Sequence, residues 1–173
     1  MKKFYVFILL TISSVSCYSQ KLISGSFELP ESEKYLAVDW DFSKTVFEKK
    51  FNEIEWTAIN GEKEWEDAKS EALAFILVEM CGKMDKASII AIKTGSNFTS
   101  NYTLYICPIR LNKKGDNVSL YVLKENSTGK ECGVCRITGD GGSHGTLGNL
   151  LGDGFEEAAR KMGKYLKSCN RQK

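Results

Sequence analysis

The chain has 173 residues, 42% of them hydrophobic and 27% charged, with 24 Lys and Arg set against 22 Asp and Glu. That length suits one domain with enough chain to bury a real core. The charges are interspersed along the chain, with no massed basic stretch, so no nucleic-acid partner is predicted.

The opening MKKFYVFILLTISSVSCYSQ reads as a secretory signal over residues 1–19. Lys2 and Lys3 form its positive start, Phe4 to Ile12 its apolar centre, and Cys17 and Ser19 place small side chains before a cleavage point after Ser19. An apolar run of roughly ten residues falls short of the ~20 needed to span a bilayer. A competing reading makes Cys17 a lipid-bearing cysteine, but Ser14, Val15 and Ser16 lack the usual leucine and small pair before it. Cleavage would leave about 154 residues and bring the formal charge from +2 to about zero. No later stretch is apolar for long enough to cross a membrane: Leu73 to Val78 is the most hydrophobic, and it runs into Glu79. The compartment expected is the periplasm or the outer-membrane surface, or the medium outside.

Residues 20–34 read as an extended arm or an edge strand. Leu36, Val38 and Trp40 alternate with smaller or acidic residues and predict the first sheet strand. Residues 43–60 carry Val46, Phe47, Phe51, Ile54 and Trp56 at loosely helical spacing, which fits one short helix or irregular packing. From Glu62, the positions Trp65, Ala68, Ala72, Phe75 and Ile76 follow one helix face, with Asn60 and Gly61 able to start the helix and Gly82 to stop it. The apolar run Leu73 to Val78 predicts that the second half of this helix is covered on most sides.

Four strand-like runs follow, at residues 87–93, 102–111, 118–124 and 131–138, joined by short turns that favour antiparallel neighbours. Pro108 lacks an amide hydrogen, so its strand should lie at an edge or bulge there. Leu147, Leu150, Leu151, Phe155, Ala158, Ala159, Met162 and Leu166 then trace the apolar face of a last long helix. The pattern predicts an α+β two-layer sandwich, a mixed and mostly antiparallel sheet of four to five strands against two long helices, with residues 35–169 as the domain and 170–173 as a tail.

Several segments are candidates for chemistry or contact. The stretch Gly139, Gly141, Gly142, His144, Gly145 lies between a strand and a helix, where amides can cradle a phosphate. Its spacing departs from the dinucleotide pattern at His144, and no Gly-Lys-Ser/Thr follows, so a flexible chain reversal is the better reading. Gly148, Gly152, Ala159 and Gly163 fall within roughly 60° on a helical wheel. They form a ridge of small residues fit either for tight packing on the protein's own sheet or for docking a partner helix or a second copy.

Cys132 and Cys135 have the CxxC spacing of thiol oxidoreductases, but they sit in a predicted strand and not at a helix start, where amides would lower a thiol pKa. Cross-strand pairing with Cys107, or burial, is the plainer alternative. Five cysteines remain beyond the signal, an odd number that leaves one thiol free or paired between chains. His144 is the single histidine, and no nucleophile signature surrounds it or its neighbour Ser143. No metal site and no cofactor are predicted. Four Asn-x-Ser/Thr sequons, at Asn97, Asn101, Asn117 and Asn126, fall at turns or loop flanks and imply exposure.

The signal ending Cys-Tyr-Ser-Gln, together with the run Gly141 to Phe155, resembles small exported proteins of Bacteroidota-type bacteria. In element order the chain is also similar, more loosely, to envelope domains of the TolB amino-terminal and curli-assembly-lipoprotein kind. That resemblance implies an envelope-facing accessory role and carries over no catalytic residue. The expectation is therefore an exported interaction module without catalytic activity, its partner an envelope protein or a second copy. The alternative is an exported thiol-dependent or hydrolytic enzyme using Cys132, Cys135 or His144.

Overall fold

The computed structural model describes residues 20–170. The signal expected at residues 1–19, Cys17 with it, and residues 171–173 lie outside the described residues.

Both long helices form where the spacing predicts them. Helix α2 (Glu62–Met84) follows the short α1 (Glu53–Asn60) after a single residue, Gly61. At φ 93 that glycine takes a turn an L side chain rarely adopts, and its amide closes α1 on Thr57. Helix α1 opens with a capping box in which Asn52 and Glu55 satisfy each other's main-chain amides. Gly82 does not stop α2: the helix runs on to Met84 and passes into a 3-10 turn, Asp85–Ala87. Helix α3 (Leu147–Cys169) starts at Thr146, whose hydroxyl accepts from the Asn149 amide at 3.3 Å.

The sheet has seven strands, more than the four to five expected, with two short ones added by tertiary contacts. They are β1 (Gln20–Gly25), β2 (Tyr35–Trp40), β3 (Val46–Phe47), β4 (Ile90–Lys93), β5 (Tyr102–Leu111), β6 (Asn117–Glu125) and β7 (Glu131–Gly139). Their order is β1-β7-β6-β5-β2-β4, and β3 continues alongside β5 where β2 ends. Residues 43–60 thus hold both a strand and a helix. The arm is the edge strand of its two readings: β1 pairs antiparallel with β7, and Phe27 just beyond it is fully buried. The C-terminal end is pinned to the same segment by Asn170, which donates to the Phe27 carbonyl at 2.9 Å and accepts from the Leu29 amide at 2.6 Å.

The hairpins β5–β6 and β6–β7 are antiparallel as their turns predict, but β4 and β5 are not neighbours. β2 lies between them and is parallel to both. The returning segment, residues 94–101, is held by stacking of Phe98 on Tyr35 at 4.8 Å and by the Ser100 hydroxyl donating to the Tyr35 carbonyl at 2.7 Å. β5 bulges after Pro108, opposite the gap between β2 and β3, so its missing donor costs no ladder bond. The Thr45 hydroxyl fills that gap by donating to the Pro108 carbonyl at 2.7 Å.

One core lies between the helices and one face of the sheet. Leu36, Val38, Leu104, Ile106, Tyr121 and Leu123 meet Trp65, Ile76 and Met80 of α2 and Phe155, Met162 and Leu166 of α3, all within 1% of complete burial. The apolar run of α2 is covered by α3 and the sheet on two sides only. Val78 is 70% exposed and Phe75 42%, so its outer side faces solvent, contrary to the expectation of cover on most sides.

Candidate functional site

The small-residue ridge of α3 is already occupied by α2. A Cβ on Gly152 would stand 3.0 Å from the Phe75 ring, one on Gly163 3.1 Å from the Met80 carbonyl oxygen, and one on Gly148 would overlap the Glu71 carboxylate. With Ala159 fully buried beside them, these residues let two helices approach closely. The packing partner is helix α2 where the sequence suggested the sheet, and no free ridge remains for a partner helix.

The glycine-rich loop is a junction between main chains. A Cβ on Gly139 would overlap the Gly154 carbonyl, and one on Gly141 the Lys114 carbonyl, so the β5–β6 hairpin tip and the start of α3 press against the loop. Gly142 approaches Asp153, and Gly145 takes φ 134 beside Asn149. The amides that would hold an anion have carboxylates of this chain instead: Gly141 donates to Asp116 at 2.7 Å and Asp140 to Glu157 at 2.8 Å. Two donated bonds, from the Asn112 amide group first and from Gly141, hold the Asp116 carboxyl below its ordinary range. Burial pushes Glu157 up, but hydrogen bonds from Lys161 and the Asp140 amide outweigh it and leave a net lowering. His144 is exposed and forms no hydrogen bond among the described residues.

The cysteines are dispersed, and all five described thiols are free. Cys107 is paired with Leu120 and Cys135 with Tyr121, adjacent positions of β6 that point to opposite faces, so Cys107 and Cys135 cannot bridge. Cys135 is buried with its sulfur 3.6 Å from Met162 Sδ, and burial pushes its thiol up to about 12. Cys132 is the extra residue of a bulge opposite Leu123 and Lys124, half-buried at the margin of the core. Among the described residues no three metal-ligating side chains cluster. The exposure expected of the sequons holds at Asn97, Asn101 and Asn126, but Asn117 is only 3% exposed, because its side chain braces the hairpin by donating to the Gly115 carbonyl and accepting from Ser119.

A cleft of about 510 Å3 opens at the carboxyl ends of the parallel strands β2 and β4. Several of its charged groups have partners within the chain. Lys69 pairs with Glu53 at 3.3 Å and Glu66 at 2.6 Å, while Asp41 accepts from the Ser43 hydroxyl and amide, which lowers its pKa.

A further feature is the face of the sheet turned away from the helices. Residues paired across strands share a face, so the register assigns it directly. One row runs Ser24, Val134, Val122, Tyr105, Asp39, and the next Lys21, Arg136, Leu120, Cys107, with Asp41 at its end through an amide bond to Ile106. Val122 and Val134 are buried, 7% exposed, outside the main core cluster, and no described helix packs over them. Lys124 covers the Tyr105 ring at 5.1 Å, and burial pushes the Cys107 thiol up to about 11. The centre is apolar and the margin charged, the anatomy of an interface. The sequence carried a signal for it: β6 is apolar at successive positions, Leu120-Tyr121-Val122-Leu123, the pattern of a strand that keeps water from both sides.

Fold and surface together define an α+β two-layer sandwich with one sheet face left open. No described helix is long and apolar enough to cross a membrane. No protein-family model matches the chain, and no curated protein matches it. Among solved structures the chain is similar to the dodecamer of a single-substitution variant of PelC from Paraburkholderia phytofirmans, at 14% identity over 85% of this chain and 97% of that one, with a TM-score of 0.46. It is also similar to a PelC dodecamer from the same organism in another crystal form, at 14% identity over 82% and 96% of the two chains, with a TM-score of 0.42. Values at this level assign neither family nor function.

Proposed function

We propose that this protein is an exported, envelope-associated interaction module without catalytic activity, and that it works through the open face of its sheet. The carrying observation is that Tyr105, Cys107, Val118 and Leu120 stay partly exposed on a sheet face over which no described helix packs, beside Arg136, Lys124, Asp39 and Asp41. Partly exposed apolar side chains gathered on one face, with charges beside them, mark a place where another surface lands. Export rests on the leader-like residues 1–19. The enzymatic alternative has less support: His144 is solvent-exposed without a hydrogen-bond partner among the described residues, and Cys107 and Cys135 lie on opposite sides of the sheet.

A photo-crosslinking amino acid placed at Val118 on the open face, and in a control at exposed Glu64 on α2, tests the proposal in intact cells. A discrete adduct is expected from Val118 alone, lost when Leu120→Lys is added and kept in His144→Ala and Cys132→Ser variants. Equal adducts from both positions, or none from Val118, would overturn it.

A further inference from the structure

We propose that the occupant of the open face is a second copy of this chain, packed sheet on sheet about a two-fold axis that runs along the strands between β5 and β6. The inference rests on the open face being an interaction surface, and the register supplies what is new. The row Lys21, Arg136, Leu120, Cys107, Asp41 is basic at one end, apolar in the middle and acidic at the other. Rotation about that axis reverses the row. Arg136 of one copy then meets Asp41 of the second, Lys21 falls one strand further out over the β4 edge, and Leu120 lies over Cys107 of the second copy. In the neighbouring row, Val122 faces Tyr105 and Val134 faces Asp39 by the same operation.

Three further observations favour this occupant. Five strands ~4.8 Å apart and about eight residues long present a footprint of ~600 Å2 before side-chain relief, close to the ~800 Å2 each partner contributes to a standard interface. The chain beyond residue 19 carries about zero formal charge, so no long-range repulsion opposes self-association. Growth of the sheet edge to edge is disfavoured at both ends, by a bulge between Leu22 and Ser24 in β1 and by the four-residue length of β4. Association is thereby directed to faces, and the opposite face already holds the helices.

Sedimentation equilibrium on protein purified after expression of the full chain tests the pairing. Wild type is expected to be a dimer, Arg136→Asp and Asp41→Lys each to weaken it by about tenfold or more, and the double variant to recover most of the loss. Asp41→Lys also removes the bonds to Ser43, so circular dichroism and thermal melting accompany each variant. Leu120→Lys, on a partly exposed position, dissociates the dimer by an independent route. A dimer indifferent to both Leu120→Lys and Arg136→Asp overturns the proposal, as does a wild type that is monomeric at ~100 µM, weaker than a standard interface allows. In that last case the Val118 adduct separates the two readings: a heterologous adduct lost in Leu120→Lys keeps the interaction module and discards the second copy, and no adduct discards both.

Discussion

The amide of Gly141 donates a 2.7 Å hydrogen bond to the carboxylate of Asp116, tying the glycine loop to the tip of the β5–β6 hairpin. Glu157 of α3 does the same for the next amide back, that of Asp140. Both carboxyls are held below their ordinary values of 3.8 and 4.5. A carboxyl with a lowered folded pKa contributes stability that is full above its unfolded pKa and is lost as pH falls through the folded one. Denaturant midpoints measured from pH 6 to pH 2 should hold level above about pH 5 and then decline. Asp116→Asn should flatten the acid side of that profile, since the amide oxygen still accepts but no longer titrates.

Glycine substitutions should divide by what surrounds them. At Gly154 a Cβ would overlap the Gly115 carbonyl and stand 3.1 Å from Asn117 Nδ2, so Gly154→Ala must move main chain and should cost about 2–3 kcal/mol. Gly163→Leu and Gly152→Leu should abolish the folded monomer by wedging α3 off α2. Gly82 meets nothing within 4 Å and lies inside α2, so Gly82→Ala should stabilise by about 0.5–1 kcal/mol. Equilibrium unfolding of the set checks all of them.

Tyr121 is fully buried in the middle of the sheet, and its hydroxyl has no hydrogen-bond partner among the described residues. Burial without a partner raises its pKa strongly and leaves a desolvated polar atom in the core. Tyr121→Phe should therefore be stabilising by about 1 kcal/mol, read as a higher melting temperature. A loss of more than about 1 kcal/mol would mean that the hydroxyl is bonded in solution.

Thiol chemistry should follow exposure. At pH 8 a thiol at about 12 is almost wholly protonated, so Cys135 should resist iodoacetamide until the protein unfolds. Cys107, at about 11, should react slowly, and more slowly still if a second copy covers it. Cys132, half-buried at a strand bulge, should label first. Alkylation followed by peptide mass mapping gives the order, and early labelling of Cys135 would contradict the packing against Met162.

Periodicity along the chain was enough to place α2, α3 and the three long antiparallel strands, because side-chain spacing and local turns act over a few residues and leave their mark there. The α3 pattern from Leu151 to Leu166 is the plainest case, and of the edge or bulge that Pro108 allows the structure has the bulge. Strand neighbours were another matter. Whether β4 pairs with β5 or gives way to β2 depends on segments more than fifty residues apart, and Gly95-Ser96-Asn97 looks the same in either arrangement. The ridge of Gly148, Gly152 and Gly163 could be recognised as a demand for close approach, but its partner could not, since only the folded chain brings α2 alongside. The open face was visible only as apolar residues at successive positions of β6; which side the helices take, and so which side is left bare, is decided by tertiary packing. Local sequence encodes the faces that each element must bury, and long-range packing selects what buries them.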